Sequence, residues 1–204
     1  MFRIPFLLNR DTPPQGYDLD EYINGKYGDG VASQAQARLD QAGRLVGVSF
    51  NRQRRIVNSV NSHRMMEFVH KTYGFLVGDK VMNNLFKLYF ENAKDISNDD
   101  VLLESLYDIA EINDKETIEA LLKTNEFQTE VLNADRSAKS SRINGVPHIT
   151  FFQNDSKLGS LSGIIIIIII IIIVVIIIIM CSSIGAQPPE VFEQLLLEYL
   201  ENLE

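Results

Sequence analysis

A chain of 204 residues that is 46% hydrophobic and 23% charged carries enough apolar material for one well-buried globular unit and is short for two. Its formal charge of -8 argues against a nucleic-acid partner, because phosphate recognition needs Lys and Arg gathered on one face. Cys181 is the single cysteine, which excludes a disulfide framework and a two-cysteine redox couple within these residues.

At the start, Met1 to Arg10 holds an apolar stretch that is broken by Pro5 and too short for a secretory h-region, so a cytoplasmic setting is expected. Phe2 to Leu8 predicts a short buried strand, and Asn9 to Gly16 a loop fixed by its Pro and Gly residues. Asp18 to Tyr27 reads as a helix closed by Gly28 and Gly30, and Val31 to Leu45 as a second helix with apolar positions at helical spacing. Gly47 to Phe50 is extended. The basic cluster Arg52, Arg54 and Arg55 comes next and reads as a solvated loop in preference to an anion site.

Ser62 can cap the next helix, His63 to Tyr73. His63 and His70 are seven apart and can share a face, but two His without a third ligand make a weak zinc argument, and no metal is expected. His63 takes a structural or polar site-lining role and His70 a plain surface or core one. From there to Asn144 the pattern is helical, four or five helices with stops at Gly74, Gly78, Asn92 and Asn113 and a capping sequence at Ser97 to Asp100.

After Gly145 the period becomes extended: Val146 to Phe152 and Lys157 to Leu161 predict two strands of a hairpin around Asn154-Asp155. A Pro entering a strand cannot donate a ladder hydrogen bond, so Pro147 marks an edge or a special turn. On its own the Val146-Pro147 bond reads as trans, since only about 5 to 6% of such bonds are cis.

Ile164 to Met180 is an unbroken apolar run of seventeen residues, interrupted in its isoleucines only by Val174 and Val175. As a helix it spans about 26 Å, just short of a bilayer core of about 30 Å. As a single strand it would reach about 56 Å, beyond any compact sheet, and would be an aggregation hazard. Val and Met each differ from an ATT isoleucine codon by one base, so a translated triplet repeat is the preferred reading. A membrane span and a buried or disordered insert stay open beside it. Beyond the run, Pro188 and Pro189 open a terminal helix whose Phe192, Leu195, Leu196, Tyr199 and Leu203 form an apolar stripe.

Strand, helical block, hairpin and terminal helix in that order give a mixed α/β layer architecture. Within it, Arg142-Ile-Asn-Gly-Val-Pro-His-Ile-Thr-Phe-Phe152 and Gly185-Ala-Gln-Pro-Pro-Glu-Val-Phe192 resemble the C-terminal signature of DsbA-like, FrnE-type thioredoxin proteins. Pro5-Phe-Leu-Leu-Asn9 with Gly16, Asn58-Ser-Val-Asn-Ser-His-Arg64 and Tyr89-Phe-Glu-Asn-Ala-Lys-Asp-Ile96 resemble further family elements, in the family's order.

The resemblance implies a thioredoxin-like α/β fold with a large helical insertion, lacking the first strand and first helix, because the family's opening strand, Cys-x-x-Cys and helix precede the strand expected here at residue 2. On that plan residues 1-50 are the remnant of the N-terminal half and the start of the insertion. Residues 51-144 are the helical insertion, and 145-204 the C-terminal half, interrupted by 164-180. In the family the proline at the place of Pro147 is cis and lines the active site. The resemblance therefore places Val146, Pro147 and His148 beside the substrate cleft, with Asn58 and His63 contributing from the helical cap.

The same resemblance implies a protein of thiol-disulfide oxidoreductase type with a thiol or disulfide substrate, peptide or glutathione, and no cofactor, glutathione entering only as a co-substrate. It is expected to be inactive as written, with no catalytic residue, because the Cys-x-x-Cys segment is absent and Cys181, with no basic neighbour and no matching family cysteine, is a poor substitute. Two other readings share the fold. Kappa-type glutathione transferases and 2-hydroxychromene-2-carboxylate isomerases use a serine in place of the redox cysteine, and a non-catalytic, membrane-tethered product would need the isoleucine run to be a genuine span.

Overall fold

The computed structural model describes residues 3-153 and 156-162. The isoleucine run, Cys181 and the expected terminal helix lie outside these residues. The chain divides into two compact units, residues 1-142 and 143-204.

The first unit is helical because its polar residues sit where helix ends need them. Asp18 precedes α1 (Leu19–Tyr27), and its carboxylate accepts the N–H groups of Asp20 and Glu21 at 2.9 and 3.0 Å. β1 (Tyr17–Asp18) pairs antiparallel with β2 (Arg55–Ile56). α2 (Val31–Val46) ends on Gly47 in the left-handed conformation at φ 73°, with the residue type that conformation favours. α3 (Val60–Tyr73) and α4 (Phe75–Phe86) are separated by Gly74 alone, at φ 80°. A π-helical turn, Lys87–Glu91, extends α4. Asn98 and Asp114 then cap α5 (Asp99–Glu104) and α6 (Lys115–Leu122) with their side chains, before α7 (Gln128–Ser140).

α3 is the central element, in contact with α4, α5, α6 and α7. Met65, Met66 and Val69 of α3 meet Val77, Val81 and Leu85 of α4, each set recurring at helical spacing. Leu102, Leu106, Ile109, Ile112, Ile118, Leu121 and Leu122 complete the cluster. The predicted helical block is thus present, with three local differences. Ser62 lies inside the first turn of α3, its hydroxyl donating to the Ser59 carbonyl, and Ser59 takes the cap position. Asn98, one residue past Ser97, supplies the cap of α5.

Gly78 is the third difference, being interior to α4 where a stop was expected. The glycine makes room: a Cβ at this position would overlap the His70 ring. Helix propensity alone would make Gly78→Ala stabilising by up to about 1 kcal/mol. Overpacking of a filled site costs about 1–3 kcal/mol and should win, so Gly78→Ala is expected to lower stability in a urea titration. A gain would show that His70 yields freely.

The predicted N-terminal strand is not one in residues 3-8. Leu7 is buried as expected, at 1% exposure, but Ile4 and Leu8 are exposed. The backbone of Leu7 finds its partners on side chains of α7: its N–H donates to Asp135 at 2.9 Å and its carbonyl accepts from Lys139 Nζ at 2.9 Å. A helix surface has taken the part of a neighbouring strand.

In the second unit, β3 (His148–Gln153) and β4 (Ser156–Ser162) form the antiparallel hairpin that the alternation predicts. His148 stands opposite Ser162, and the register slips between Phe151 and Phe152.

Candidate functional site

The residues expected at a substrate cleft fall into two groups. Val146, Pro147 and His148 lie together at the entry to β3 in the second unit, and Asn58 and His63 lie at the start of α3 in the first. The Val146-Pro147 bond is cis, the conformation that the resemblance implies and that composition alone would not favour. Val146 is exposed and His148 is half-buried. The His148 ring is held on the hairpin by Ser162 through Nδ1 and by Thr150 through Nε2, the latter at 3.3 Å.

Asn58 is committed at both ends of its amide. Oδ1 accepts the Val60 N–H at 3.0 Å, in the manner of an Asx turn that opens α3, and Nδ2 donates to the carbonyl of Thr12 at 3.3 Å. It thereby ties the loop before β1 to α3. His63 Nδ1 lies 2.7 Å from the Ser59 carbonyl. A carbonyl only accepts, so Nδ1 carries the proton and Nε2 keeps the lone pair.

Burial holds the His63 imidazole below its ordinary value, with the Ser59 carbonyl acting in the opposite sense. Burial likewise lowers His70. A base whose folded value lies below its unfolded value of 6.5 binds fewer protons when folded. Its contribution to stability is complete above that value and is lost as pH falls below it. Urea midpoints measured across this range should drop on the acid side of pH 6.5; a midpoint unchanged there would remove both assignments.

The basic cluster differs from its expectation. Arg54 is 6% exposed, lying over the Phe90 ring at 5.8 Å and donating to the Asn51 carbonyl at 2.8 Å. Arg52 is ion-paired with Asp20, its Nε 2.9 Å from Oδ2, and Arg55 bonds the Gln15 carbonyl. Only Arg52 and Arg55 face solvent as a loop cluster would. The aromatic ring four residues into the π turn, far along the sequence, is what draws Arg54 inward.

Two features escaped the sequence reading. One is a cleft of about 760 Å³ beside α1, lined among others by Tyr17, Glu21, Tyr22, Lys26 and Arg55. Its lining mixes both signs of charge with stacked tyrosine rings 5.6 Å apart, so it selects no single charge class of ligand. The other is Arg64, the residue after His63, which is 2% exposed and donates to the carbonyls of Leu121, Thr124 and Glu126 at 2.9, 2.6 and 2.7 Å.

No cysteine occurs among the described residues. Among them, no group of three or more His, Cys, Asp or Glu side chains is placed to hold a metal ion, and no helix is long and apolar enough to cross a membrane.

A search of curated proteins finds no match. Among solved structures, the chain is similar to a crystal structure described as a probable DsbA oxidoreductase from Streptomyces coelicolor, with a TM-score of 0.64 and 20% sequence identity, covering 95% of this chain and 72% of that one. At that identity the likeness speaks for the fold. The family model of the DSBA-like thioredoxin domain matches residues 2–164, which take in the helical unit, the hairpin and the cis-proline between them, and the chain belongs to that family.

Proposed function

We propose that this chain is a thiol-disulfide oxidoreductase scaffold of the DsbA-like kind, engaging a thiol or disulfide substrate, peptide or glutathione, without exchanging disulfides through its own residues. The match of the DSBA-like thioredoxin domain over residues 2–164 carries this reading. In the proposal Val146, Pro147 and His148 shape the substrate cleft and Asn58 and His63 contribute from the helical part. Residues 51-144 are the helical insertion of the fold and 145-204 its C-terminal half.

Disulfide exchange needs a thiolate that attacks one sulfur and a second thiol that resolves the mixed disulfide. With one cysteine, the chain can at most form the mixed disulfide and stop there. Insulin reduction in a glutathione buffer should therefore run at the background rate, for this chain and for Cys181→Ser alike. Turnover that disappears in Cys181→Ser would overturn the inert assignment.

Substrate engagement is tested separately, by following backbone amide shifts while glutathione disulfide is added. The expected perturbations are at Val146, His148, Asn58 and His63, and His148→Ala should weaken binding by about threefold, the effect of one half-buried polar contact. Saturable shifts that avoid all four residues would remove the proposed cleft.

A further inference from the structure

His70 sits in the last turn of α3, and Gly74 turns the chain into α4. Its ring lies 5.0 Å from that of Phe75 and occupies the notch that Gly78 leaves open. Nε2 is buried there without a hydrogen-bond partner. Since even a methyl group at position 78 would overlap Cδ2 and Nε2, a water molecule has no room beside this atom. A neutral imidazole tolerates an unused nitrogen at modest cost. An imidazolium carries N–H at both nitrogens, and a buried charged donor without an acceptor does not stay buried.

The charged groups that face this ring come from three elements: Glu67 one turn back on α3, Asp79 on α4, and Arg3 on the N-terminal segment. Asp79 is paired with Arg3, Nη1 to Oδ1 at 2.6 Å, and both side chains are well exposed. We propose that the α3–α4 junction is an acid-sensitive latch: protonation expels the His70 ring from the Gly78 notch, and Asp79 passes from Arg3 to the imidazolium. Expulsion moves the first turn of α4 and releases one of the ties of the N-terminal segment, leaving the attachment of Leu7 to α7. Burial and Arg3 hold the imidazole below its ordinary value, so the latch is closed at neutral pH and opens only in acid.

The test is amide exchange of the whole 204-residue chain, corrected for intrinsic rates. The reporter is Gly78, whose N–H bonds the Gly74 carbonyl at 3.1 Å. If the open ring titrates near its ordinary value, the open population rises about tenfold between about pH 7.5 and about pH 5.5. Protection at Gly78 should fall by that factor and stay level in His70→Phe, which keeps a ring without the charge. In Asp79→Asn the fall should shrink, because the expelled imidazolium has lost its anionic partner.

A flat wild-type profile overturns the latch, and so does an equal fall in His70→Phe. An unchanged fall in Asp79→Asn overturns the exchange of partners. Should His70→Phe not fold, the ring titration of His70 in the wild type decides: a midpoint below 6.5 that coincides with the loss of Gly78 protection is expected, and a loss that tracks His63 refutes it.

Discussion

Replacing Arg64 by Ala should cost about 3 kcal/mol, the largest loss expected from any single truncation outside the apolar cluster. Among the described residues the guanidinium is the only donor to the carbonyls of Thr124 and Glu126, which lie just past the end of α6, whereas the Leu121 carbonyl is also served by Thr124. An orphaned carbonyl costs about 1–3 kcal/mol where water cannot reach it; Thr124 and Glu126 are exposed residues, so that cost stays toward the lower end, and the void left by a long buried side chain supplies the rest. Relief of the buried charge returns part of the loss, since burial pulls the guanidinium below its ordinary value. Arg64→Lys should recover less than half, because an ammonium cannot reproduce a planar fork that meets acceptors in several directions. At about 2–4 °C per kcal/mol for a chain of this size, thermal melts resolve both variants. An Arg64→Lys protein as stable as the wild type would show that the charge, without the fork, is what matters.

The second large effect belongs to Asp135. This carboxylate is 1% exposed and holds the Leu7 N–H while pairing with Lys139 at 2.9 Å. Burial pushes its carboxyl up, but the Leu7 N–H and Lys139 outweigh that and leave it below the ordinary carboxylate range. Asp135→Ala should cost about 2–3 kcal/mol, the usual worth of a hydrogen bond to a charged group with an N–H left unpaired. Asp135→Asn keeps an acceptor of the same shape and should cost about 1 kcal/mol. Because the folded value is depressed, this contribution is present above the unfolded value of 3.8 and is lost as pH falls through the folded one, well apart from the histidine range. Exchange of the Leu7 amide is the direct readout: it should accelerate in Asp135→Ala before the amides of α3 do. Equal acceleration throughout would mean that the N-terminal segment and the helical unit open together.

The helices were legible because their signals are local. Asp18, Asn98 and Asp114 cap where short polar side chains cap, and α3 and α4 display their buried residues at helical spacing. The hairpin was legible for the same reason, from alternation around a polar turn. What failed depended on distant partners. Residues 2-8 carry the apolar composition of a strand, yet the groups that satisfy Leu7 lie 128 and 132 positions away on a helix. Arg54 reads as one of three surface arginines until Phe90 is brought beneath it. Gly78 reads as a helix stop until the His70 ring is seen to need its space.

The candidate site was legible in a different way. No residue spacing singles out Val146-Pro147 as cis, and the likeness of the residues around it to a family supplied that expectation. Asn58 stands out in the same way, but its observed bonds to Val60 and Thr12 are scaffolding contacts that sequence could not reveal.

Beyond its own helix, where Nη1 donates to Asn61 Oδ1 at 2.9 Å, Arg64 hydrogen-bonds main-chain carbonyls and not the side chains that accompany them. Substitutions at Glu126 leave its carbonyl acceptor in place, while any change at Arg64 removes the fork that reaches all of them. Tolerance to mutation is therefore lopsided: one partner of this contact is exposed to sequence drift, and the other resides in the peptide backbone, where drift cannot act.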